Sequence, residues 1–324
     1  MKNRYGEPWS GADWRTQIFP YLPKQVRAVL EETDASVRVE EIRFRAGQPM
    51  QLCLSDGELL LREYAPISAE DCAEILRLIC ENSIYAWSEE LRSGFLTLPG
   101  GCRVGIAGRA VLENGQIARI TDVTSLCIRV ARDCRGVARS VIPFLRDGGG
   151  TLRSTLVVSP PCAGKTTLLR DLIRSASCGE AGLCPARVGV VDTRYELAGS
   201  VRGVPQFDLG PRTDVLSGGT KAEGMRMLLL SMSPELLAAD ELGTIEDLAA
   251  VTEAAGCGVR VLASVHSGSS AMLQKRGSLQ RLLASGLFER YVVLSRRCGA
   301  GTVEGIYDAA LRPMKRAERE GTAC

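Results

Sequence analysis

Histidine and aromatic residues are scarce in this chain of 324 residues, which contains one histidine and 5% aromatic residues. Its twelve cysteines include no Cys-x-x-Cys pair, and one histidine cannot complete a cysteine-rich zinc site of ordinary spacing. Several cysteines, such as Cys72, Cys80 and Cys127, lie in apolar stretches, where a thiol behaves as a small hydrophobic group. The pattern favours reduced, mainly structural cysteines over metal sites or disulfides.

Long apolar runs and an excess of one charge are also missing. No run approaches the ~18 apolar residues of a membrane helix, and the first residues lack the apolar core of a secretion signal. We therefore expect a cytoplasmic protein. Forty Lys and Arg face 38 Asp and Glu, a formal net charge of +2. This balance argues against a nucleic-acid partner, which needs a basic surface.

The length and pattern of the chain predict two domains. Residues 1–147 have the mixed helix and strand signals of a small α+β domain and no catalytic constellation. Gly148, Gly149 and Gly150 have the composition of a flexible linker. Residues 151–311 alternate strands and helices, and residues 312–324 form a charged tail.

Local signals place several elements in the N-terminal domain. Alternating residues predict strands over 37–45 and 49–54. Ser68 and Asp71 have the spacing of a capping box at the start of an amphipathic helix. Asn114-Gly115 is a strong hairpin signal between short strands at 109–112 and 116–120.

The second half of the chain has a regular rhythm. The predicted elements are strand 155–159, helix 165–177, strand 188–192, helix 220–232, strand 236–240, helix 245–255, strand 259–266 and a hairpin of strands 291–295 and 302–307. This alternation predicts an α/β domain with a mainly parallel sheet covered by helices on both faces.

A phosphate-binding loop joins the first strand and helix of this domain. A β-branched run leads into a tight loop, and the next helix opens with Gly-Lys-Thr, the context that such a loop requires. Backbone amides and the helix N-terminus would hold phosphates there. The candidate nucleotide-binding residues are Ser159, Pro160, Pro161, Cys162, Ala163, Gly164, Lys165, Thr166 and Thr167.

Two members of this loop have predicted roles of their own. Lys165 would reach the β- and γ-phosphates, and the Thr166 hydroxyl would ligate Mg²⁺. Ser159 replaces the usual first glycine, at a position that mostly serves the turn. The alternative interpretation is an ordinary strand-to-helix turn that carries Lys-Thr.

A second apolar strand ends in Asp240 and Glu241. Asp240 would hold the Mg²⁺ shell beside Thr166, and Glu241 would polarise the attacking water. The alternative is a strand that ends in two solvated acids.

Two further strand ends carry polar residues. Asp192 ends the strand at 188–192 and Glu196 follows it, and either could orient the attacking water; a surface Asp–Arg–Glu cluster is the alternative. His266 ends the strand at 259–266, where γ-phosphate sensors lie in such sheets. A structural histidine is the other interpretation.

Several segments together resemble the stage III sporulation protein AA family. They are Glu41-Ile42-Arg43, 103–109, 160–174, Asp214-Val215-Leu216, 221–225, Met232-Ser233-Pro234 and 288–291. The family is similar to the secretion ATPases of type II and type IV systems, which are RecA-like and hexameric. The resemblance implies a role on the mother-cell side of an endospore former, at membrane-embedded proteins of the channel complex that spans the forespore membranes.

The resemblance also implies roles for single residues. Asp192 and Glu196 match the acidic box of secretion ATPases, and His266 matches their histidine box. The family usually has glutamate where this chain has Thr193, which puts the second carboxylate in question. No cis group follows the phosphate loop to neutralise the γ-phosphate, and relatives of this type use arginines from a neighbouring subunit. The candidate trans arginines are Arg103, Arg109 and Arg129; the alternative is that they pair with surface acids of their own domain.

These observations together predict a motor-type ATPase that uses ATP and Mg²⁺, acts at a membrane complex through partners and assembles as a hexamer. A RecA-like ATPase dependent on nucleic acid is one alternative. The other is a nucleotide switch that does not hydrolyse ATP and serves as a structural ring.

Overall fold

A computed structural model of the chain describes residues 14–33, 39–54, 57–81, 87, 91, 94–266 and 285–316. The chain divides into two compact units, Met1–Asp133 and Cys134–Cys324. Within the described ranges, no helix is long and apolar enough to cross a membrane.

The first unit contains an antiparallel sheet of six strands in the order β3-β2-β1-β6-β5-β4. The strands are β1 Val39–Arg45, β2 Met50–Leu54, β3 Gly57–Leu61, β4 Phe95–Thr97, β5 Arg103–Glu113 and β6 Gln116–Arg129. The helices are α1 Trp14–Ile18, α2 Lys24–Glu31 and α3 Ala69–Ile79, with a 3-10 turn at Phe19–Tyr21.

Helix α3 shows how local sequence determines an element of this unit. The Ser68 hydroxyl accepts a hydrogen bond from the Asp71 amide at 3.0 Å, and Asp71 Oδ2 accepts one from the Ser68 amide at 2.8 Å. This is the predicted capping box, which satisfies amides that the first helical turn leaves unpaired. The apolar side of α3 is buried and contacts β6 and β1.

The hairpin at Asn114-Gly115 is longer than predicted. The short strands expected at 109–112 and 116–120 are parts of two long strands, β5 and β6, that pair over their length. The register shifts between Ala107 and Arg109. A Cβ on Gly108 would lie 2.6 Å from the Thr121 carbonyl oxygen, so this irregular step needs glycine.

The second unit contains a sheet of eight strands in the order β14-β13-β12-β7-β11-β10-β8-β9. The six strands β12, β7, β11, β10, β8 and β9 are parallel to one another. At the β12 edge, β13 pairs antiparallel with β12, and β14 pairs antiparallel with β13. The strands are β7 Thr155–Ser159, β8 Val188–Asp192, β9 Thr213–Ser217, β10 Leu236–Ala239, β11 Arg260–His266, β12 Arg290–Ser295, β13 Thr302–Asp308 and β14 Pro313–Arg316. The helices are α4 Ile142–Leu145, α5 Lys165–Cys178, α6 Lys221–Met232 and α7 Ile245–Gly256.

Both faces of this sheet are covered, as predicted. Helix α5 and the segment around α4 supply one apolar core, and α6 and α7 supply the other. Strands β7, β8 and β10 are buried along their whole length. A strand that is covered on both faces has apolar residues along its whole length, which explains why the sequences of these strands are continuous apolar runs.

The unit boundary lies upstream of the linker expected at Gly148–Gly150. Ala138, Val141, Ile142 and Leu145 belong to the apolar core of the second unit. The glycines form an ordered turn, because Asp147 Oδ1 accepts hydrogen bonds from the amides of Gly149 and Thr151, both at 2.9 Å. The glycine content therefore reflects a tight turn.

The expected tail and one strand also differ from the prediction. Residues 313–316 of the tail form β14, which pairs with β13, and Arg312 pairs with Asp308 at 2.8 Å; residues 317–324 lie outside the described residues. Strand β9 was not predicted. All five of its residues are only half-buried, so it lacks the apolar run of its neighbours.

We predict that the segment upstream of the glycine turn stabilises the second unit. Leu145 is fully buried, whereas Val137 in the same segment is 43% exposed. Leu145→Ala should lower the free energy of unfolding by about 2–5 kcal/mol, because it leaves a cavity. The control Val137→Ala should stay within ~0.5 kcal/mol of wild type. Urea unfolding monitored by circular dichroism distinguishes them, and equal effects would contradict the boundary at Cys134.

Candidate nucleotide site

Four neighbouring parallel strands end together at one edge of the large sheet. In the order β7-β11-β10-β8, each strand leads at its carboxyl end into a candidate site residue. The register pairs His266 with Ser159 and aligns Ala239 with both Ala263 and Val191. Ligands in open α/β sheets bind at this edge, so the fold brings the predicted residues into one place.

The loop between β7 and α5 has the backbone of an anion cradle. Cys162 and Gly164 have positive φ values of 57° and 84°, and Gly164 directly precedes α5. A Cβ on Gly164 would lie 2.9 Å from the Gly301 amide nitrogen, in the turn between β12 and β13. That same amide donates to the Ala163 carbonyl at 3.0 Å. Glycine is therefore required at 164, and the β12–β13 turn supports the loop.

The remaining loop residues differ in exposure. Ser159 is buried at the end of β7, and its hydroxyl donates to the Pro160 carbonyl at 2.9 Å. Pro161 and Cys162 are exposed, and Thr167 is half-buried in the first turn of α5. Ser159 thus fits where glycine is usual, because its side chain is satisfied within the turn.

Lys165 is the charge at the centre of the site. Its side chain is only 6% exposed, and Nζ lies 2.9 Å from Glu241 Oε1 and 3.3 Å from Asp240 Oδ1. The Thr166 hydroxyl donates to Asp240 Oδ2 at 2.8 Å. The phosphate loop and the acidic strand end therefore meet in space.

Ser264 is a member of the site that the sequence analysis did not select. Its hydroxyl donates to Asp240 Oδ1 and accepts from the Glu241 amide at 2.9 Å. Glu241 has a φ of 58°, a left-handed conformation uncommon outside glycine. The sequence feature that could have indicated Ser264 is its hydroxyl, which stands alone in the apolar strand β11. Ser264 is two residues before His266, so the two side chains lie on the same face of the strand.

Two more cationic or titratable side chains contact Glu241. His266 Nε2 lies 2.6 Å from Oε1, and Arg194 Nη1 donates to Oε2 at 2.5 Å. His266 thus lies beside the acidic strand end. The sequence indicated Arg194 only as part of a surface cluster, because its partner Glu241 is 47 residues away in the chain.

These contacts lower the pKa of Glu241. Burial acts to raise it, but the hydrogen bond and charge of Lys165, followed by those of His266, outweigh burial and bring the pKa to about 2. Glu241 is therefore a firmly ionised carboxylate in this arrangement.

Asp192 and Glu196 are close in sequence but have different environments. The buried Asp192 carboxylate accepts the amides of Glu196 at 2.9 Å and Ala198 at 2.8 Å. Burial raises its pKa above the usual value, and the backbone donors partly offset this. Asp192 thus braces the loop that follows β8, while Glu196 lines a small pocket with Asp240 and Glu241.

The donors fit Mg²⁺ bound together with phosphate. Thr166 and Asp240 offer hard oxygen atoms that already lie 2.8 Å apart. Mg²⁺ is usually held by one or two protein oxygens plus substrate phosphates and water. No group of three or more metal-binding side chains occurs in the described part of the chain.

The three candidate trans arginines lie in the first unit and have partners there. Arg109 pairs with Asp122 at 2.8 Å, and Arg129 pairs with Glu41 at 3.0 Å. The Arg103 guanidinium lies 3.7 Å from the centre of the Phe95 ring.

Comparison with known proteins identifies the family. The sequence profile of the family described as Sporulation stage III, protein AA matches residues 12–312. The chain belongs to this family. The Bacillus subtilis (strain 168) protein named Stage III sporulation protein AA is 42% identical over 294 residues, which cover 90% of this chain and 94% of that protein. The Arabidopsis thaliana protein SEEDLING PLASTID DEVELOPMENT 1 is 32% identical over 265 residues, 81% of this chain but 35% of that protein.

Two solved structures with a similar fold are an ATPase and a pilus motor. The Legionella pneumophila ATPase DotB superposes with a TM-score of 0.53 at 15% identity, over 89% of this chain and 78% of DotB. The pilus retraction motor PilT, solved with ADP, gives 0.54 at 13% identity, over 83% of this chain and 76% of PilT. This member of the sporulation family therefore has the predicted RecA-like fold with a smaller N-terminal domain.

The low pKa of Glu241 predicts a stability that depends on pH. A carboxyl whose pKa falls from 4.5 to about 2 on folding stabilises the folded state above pH ~4.5, and this is lost as the pH falls toward 2. Between pH 5 and 3, the melting temperature of wild type should therefore fall relative to Glu241→Gln, which cannot titrate. Glu253→Gln, at an exposed pair with Arg226, is the control. If the difference in melting temperature between wild type and Glu241→Gln does not change with pH, the ion-pair network is contradicted.

Proposed function

We propose that this protein is a Mg²⁺-dependent, motor-type ATPase that acts on a membrane-spanning channel complex during endospore formation. The observation that carries the proposal is the meeting of Lys165, Thr166, Asp240 and Glu241 within 2.8–3.3 Å at the carboxyl edge of a parallel sheet. These are the parts that nucleotide hydrolysis needs: a phosphate-binding ammonium, two metal-binding oxygens and a carboxylate.

Each residue has a role that follows from its chemistry. The loop amides and Lys165 would bind the phosphates, and Thr166 and Asp240 would hold Mg²⁺, which neutralises charge on the β- and γ-phosphates when bound. Glu241 would orient the attacking water and accept its proton. The pocket beside it, about the size of one water molecule, is lined by Glu196, Asp240 and Glu241 among others.

Of the two residues proposed as a second water-orienting carboxylate, Glu196 fits that role better. Asp192 Oδ1 and Oδ2 each accept a backbone amide of its own loop, so the carboxylate is committed to positioning that loop. The Glu196 amide donates to Asp192, and Glu196 is one of the residues that line the pocket. His266, 2.6 Å from Glu241, is proposed as the γ-phosphate sensor.

The family and the fold neighbours support the proposed place of action. A stage III sporulation relative at 42% identity supports a role in endospore formation. The likeness to DotB and PilT supports a motor that works at a membrane assembly. We place the chain on the cytoplasmic, mother-cell side, bound to the membrane through channel proteins.

The proposed assembly is a hexameric ring completed by arginines of the first unit. The pair of Arg109 and Asp122 is exposed on both sides, with side-chain exposures of 72% and 66%. Exposed pairs contribute only about 0–1 kcal/mol. Arg109 could therefore exchange Asp122 for a phosphate on a neighbouring subunit at little cost, and the Arg129 pair is similarly exposed on the arginine side.

Two substitutions test the nucleotide chemistry. Lys165→Ala should weaken ATP binding on the order of 10²-fold or more, because it removes the ammonium that neutralises the phosphates.

Glu241→Gln should bind ATP but hydrolyse it at least ~10²-fold more slowly, since it cannot accept a proton. Lys221→Ala, in the same unit, is the control. Calorimetric binding and phosphate release measure both effects. Unchanged ATP binding by Lys165→Ala would rule out the loop, and full turnover by Glu241→Gln would rule out its role.

A mixing experiment tests the ring. A trans arginine is worth roughly 10³-fold in rate, so specific activity should rise with protein concentration. Lys165→Ala mixed with Arg109→Ala or Arg129→Ala should recover turnover that neither variant has alone. The control mixture uses Arg77→Ala, an exposed arginine paired within its own helix; because that variant should keep wild-type activity alone, no synergy is expected. Activity independent of dilution, with no recovery in any mixture, would contradict the ring.

A further inference from the structure

The Glu241 carboxylate is held by cations on both oxygens. Lys165 lies on Oε1 at 2.9 Å, and Arg194 donates to Oε2 at 2.5 Å. A carboxylate held in this way has its acceptor positions occupied, so it is poorly placed to take a proton from water. The proposed hydrolysis therefore requires that these cations find other partners.

Lys165 has such a partner in the proposed reaction. The ammonium of a phosphate loop contacts the β- and γ-phosphates of the nucleotide, and this contact competes with Glu241 for the same group. After that exchange, His266 Nε2 still lies 2.6 Å from Oε1, and Arg194, which is always charged, still holds Oε2 at 2.5 Å.

The backbone that carries Arg194 is fixed from two sides. Asp192 accepts the amides of Glu196 and Ala198. Arg170, on α5, donates to the carbonyls of Glu196 at 2.7 Å and Leu197 at 2.9 Å. The buried Arg170 guanidinium also lies 3.5 Å from the centre of the Phe207 ring. A loop braced in this way presents Arg194 from a constant position beside the site.

The Arg194 side chain itself is well placed to change partners. It is 60% exposed, whereas Glu241 is 17% exposed, and it lines the pocket that Asp240, Glu241 and Glu196 also line. The planar guanidinium binds carboxylates and phosphates with the same fork of donors. A γ-phosphate at this end of the loop would therefore offer Arg194 an equivalent anion.

We propose that Arg194 is a cis-acting γ-phosphate sensor that transfers from the Glu241 carboxylate to the γ-phosphate of ATP and so releases Glu241 for hydrolysis. This inference rests on the proposed ATPase function and adds a residue to the same site. ADP lacks the γ-phosphate and leaves Arg194 on Glu241. The chain thus carries its own cation for the γ-phosphate, in addition to any arginine that a neighbour supplies.

The test compares affinity for ADP with affinity for a non-hydrolysable ATP analogue that keeps the γ-phosphate. Isothermal titration calorimetry on the full chain with Mg²⁺ should show that Arg194→Ala binds the analogue about tenfold or more weakly, the scale of one charge-assisted contact. ADP affinity should change less than about twofold. Turnover at saturating ATP should also fall, by on the order of 10³-fold.

Arg187→Ala is the matched control. Arg187 is also 60% exposed, pairs with Glu235 and lies just before β8, at the end of the strand opposite to Arg194. It should leave both affinities and turnover unchanged. Arg194→Gln, which keeps much of the length and a donor, guards against loss of folding in the alanine variant, and thermal unfolding checks both.

The outcomes separate this inference from the proposed function. If wild type binds neither nucleotide, the ATPase proposal and the Arg194 proposal are both overturned. If wild type binds and hydrolyses ATP while Arg194→Ala and Arg194→Gln match Arg187→Ala, or weaken ADP and the analogue equally, only the sensor proposal is overturned. A selective loss of affinity for the analogue supports it.

Discussion

The nearly buried ammonium of Lys165 is the interaction on which the site depends. A charge that is 6% exposed needs close partners, because burial of an unpaired charge is costly. Asp240 and Glu241 supply them, and they come from a strand more than seventy residues further along the chain. The ammonium therefore ties the phosphate loop to the acidic strand end and sets the spacing between the groups that would bind phosphate and activate water.

The same ion pairs create a competition at the heart of the proposed chemistry. The contacts that keep Glu241 ionised also occupy it, so in the proposed reaction the carboxylate would become a base only when phosphate takes over its cations. Such a site links nucleotide binding to activation without a large rearrangement of the backbone. The loop after β8 supports this arrangement, because Asp192 and Arg170 secure its amides and carbonyls.

The sequence was most informative where structure follows from local patterns. The capping box at Ser68, the turn at Asn114-Gly115 and the alternating elements after residue 150 all appear close to their predicted places. The sequence was misleading where one composition is compatible with two different structures. Three glycines after Asp147 suggested a flexible linker, but the Asp147 carboxylate accepts two amides and makes the same residues a tight turn. The half-buried strand β9 left no apolar signal.

The sequence by itself predicted the α/β fold of the second unit, and it singled out Lys165, Thr166, Asp240, Glu241 and His266, because they lie at or soon after the ends of apolar strands. Only the tertiary structure decided what these residues touch. The order β7-β11-β10-β8 places Ser264 between Asp240 and the Glu241 amide, turns Asp192 toward its own loop and brings Arg194 to Glu241. Those partners are far apart in the chain, and they meet only because the strands that carry them are neighbours in the folded sheet.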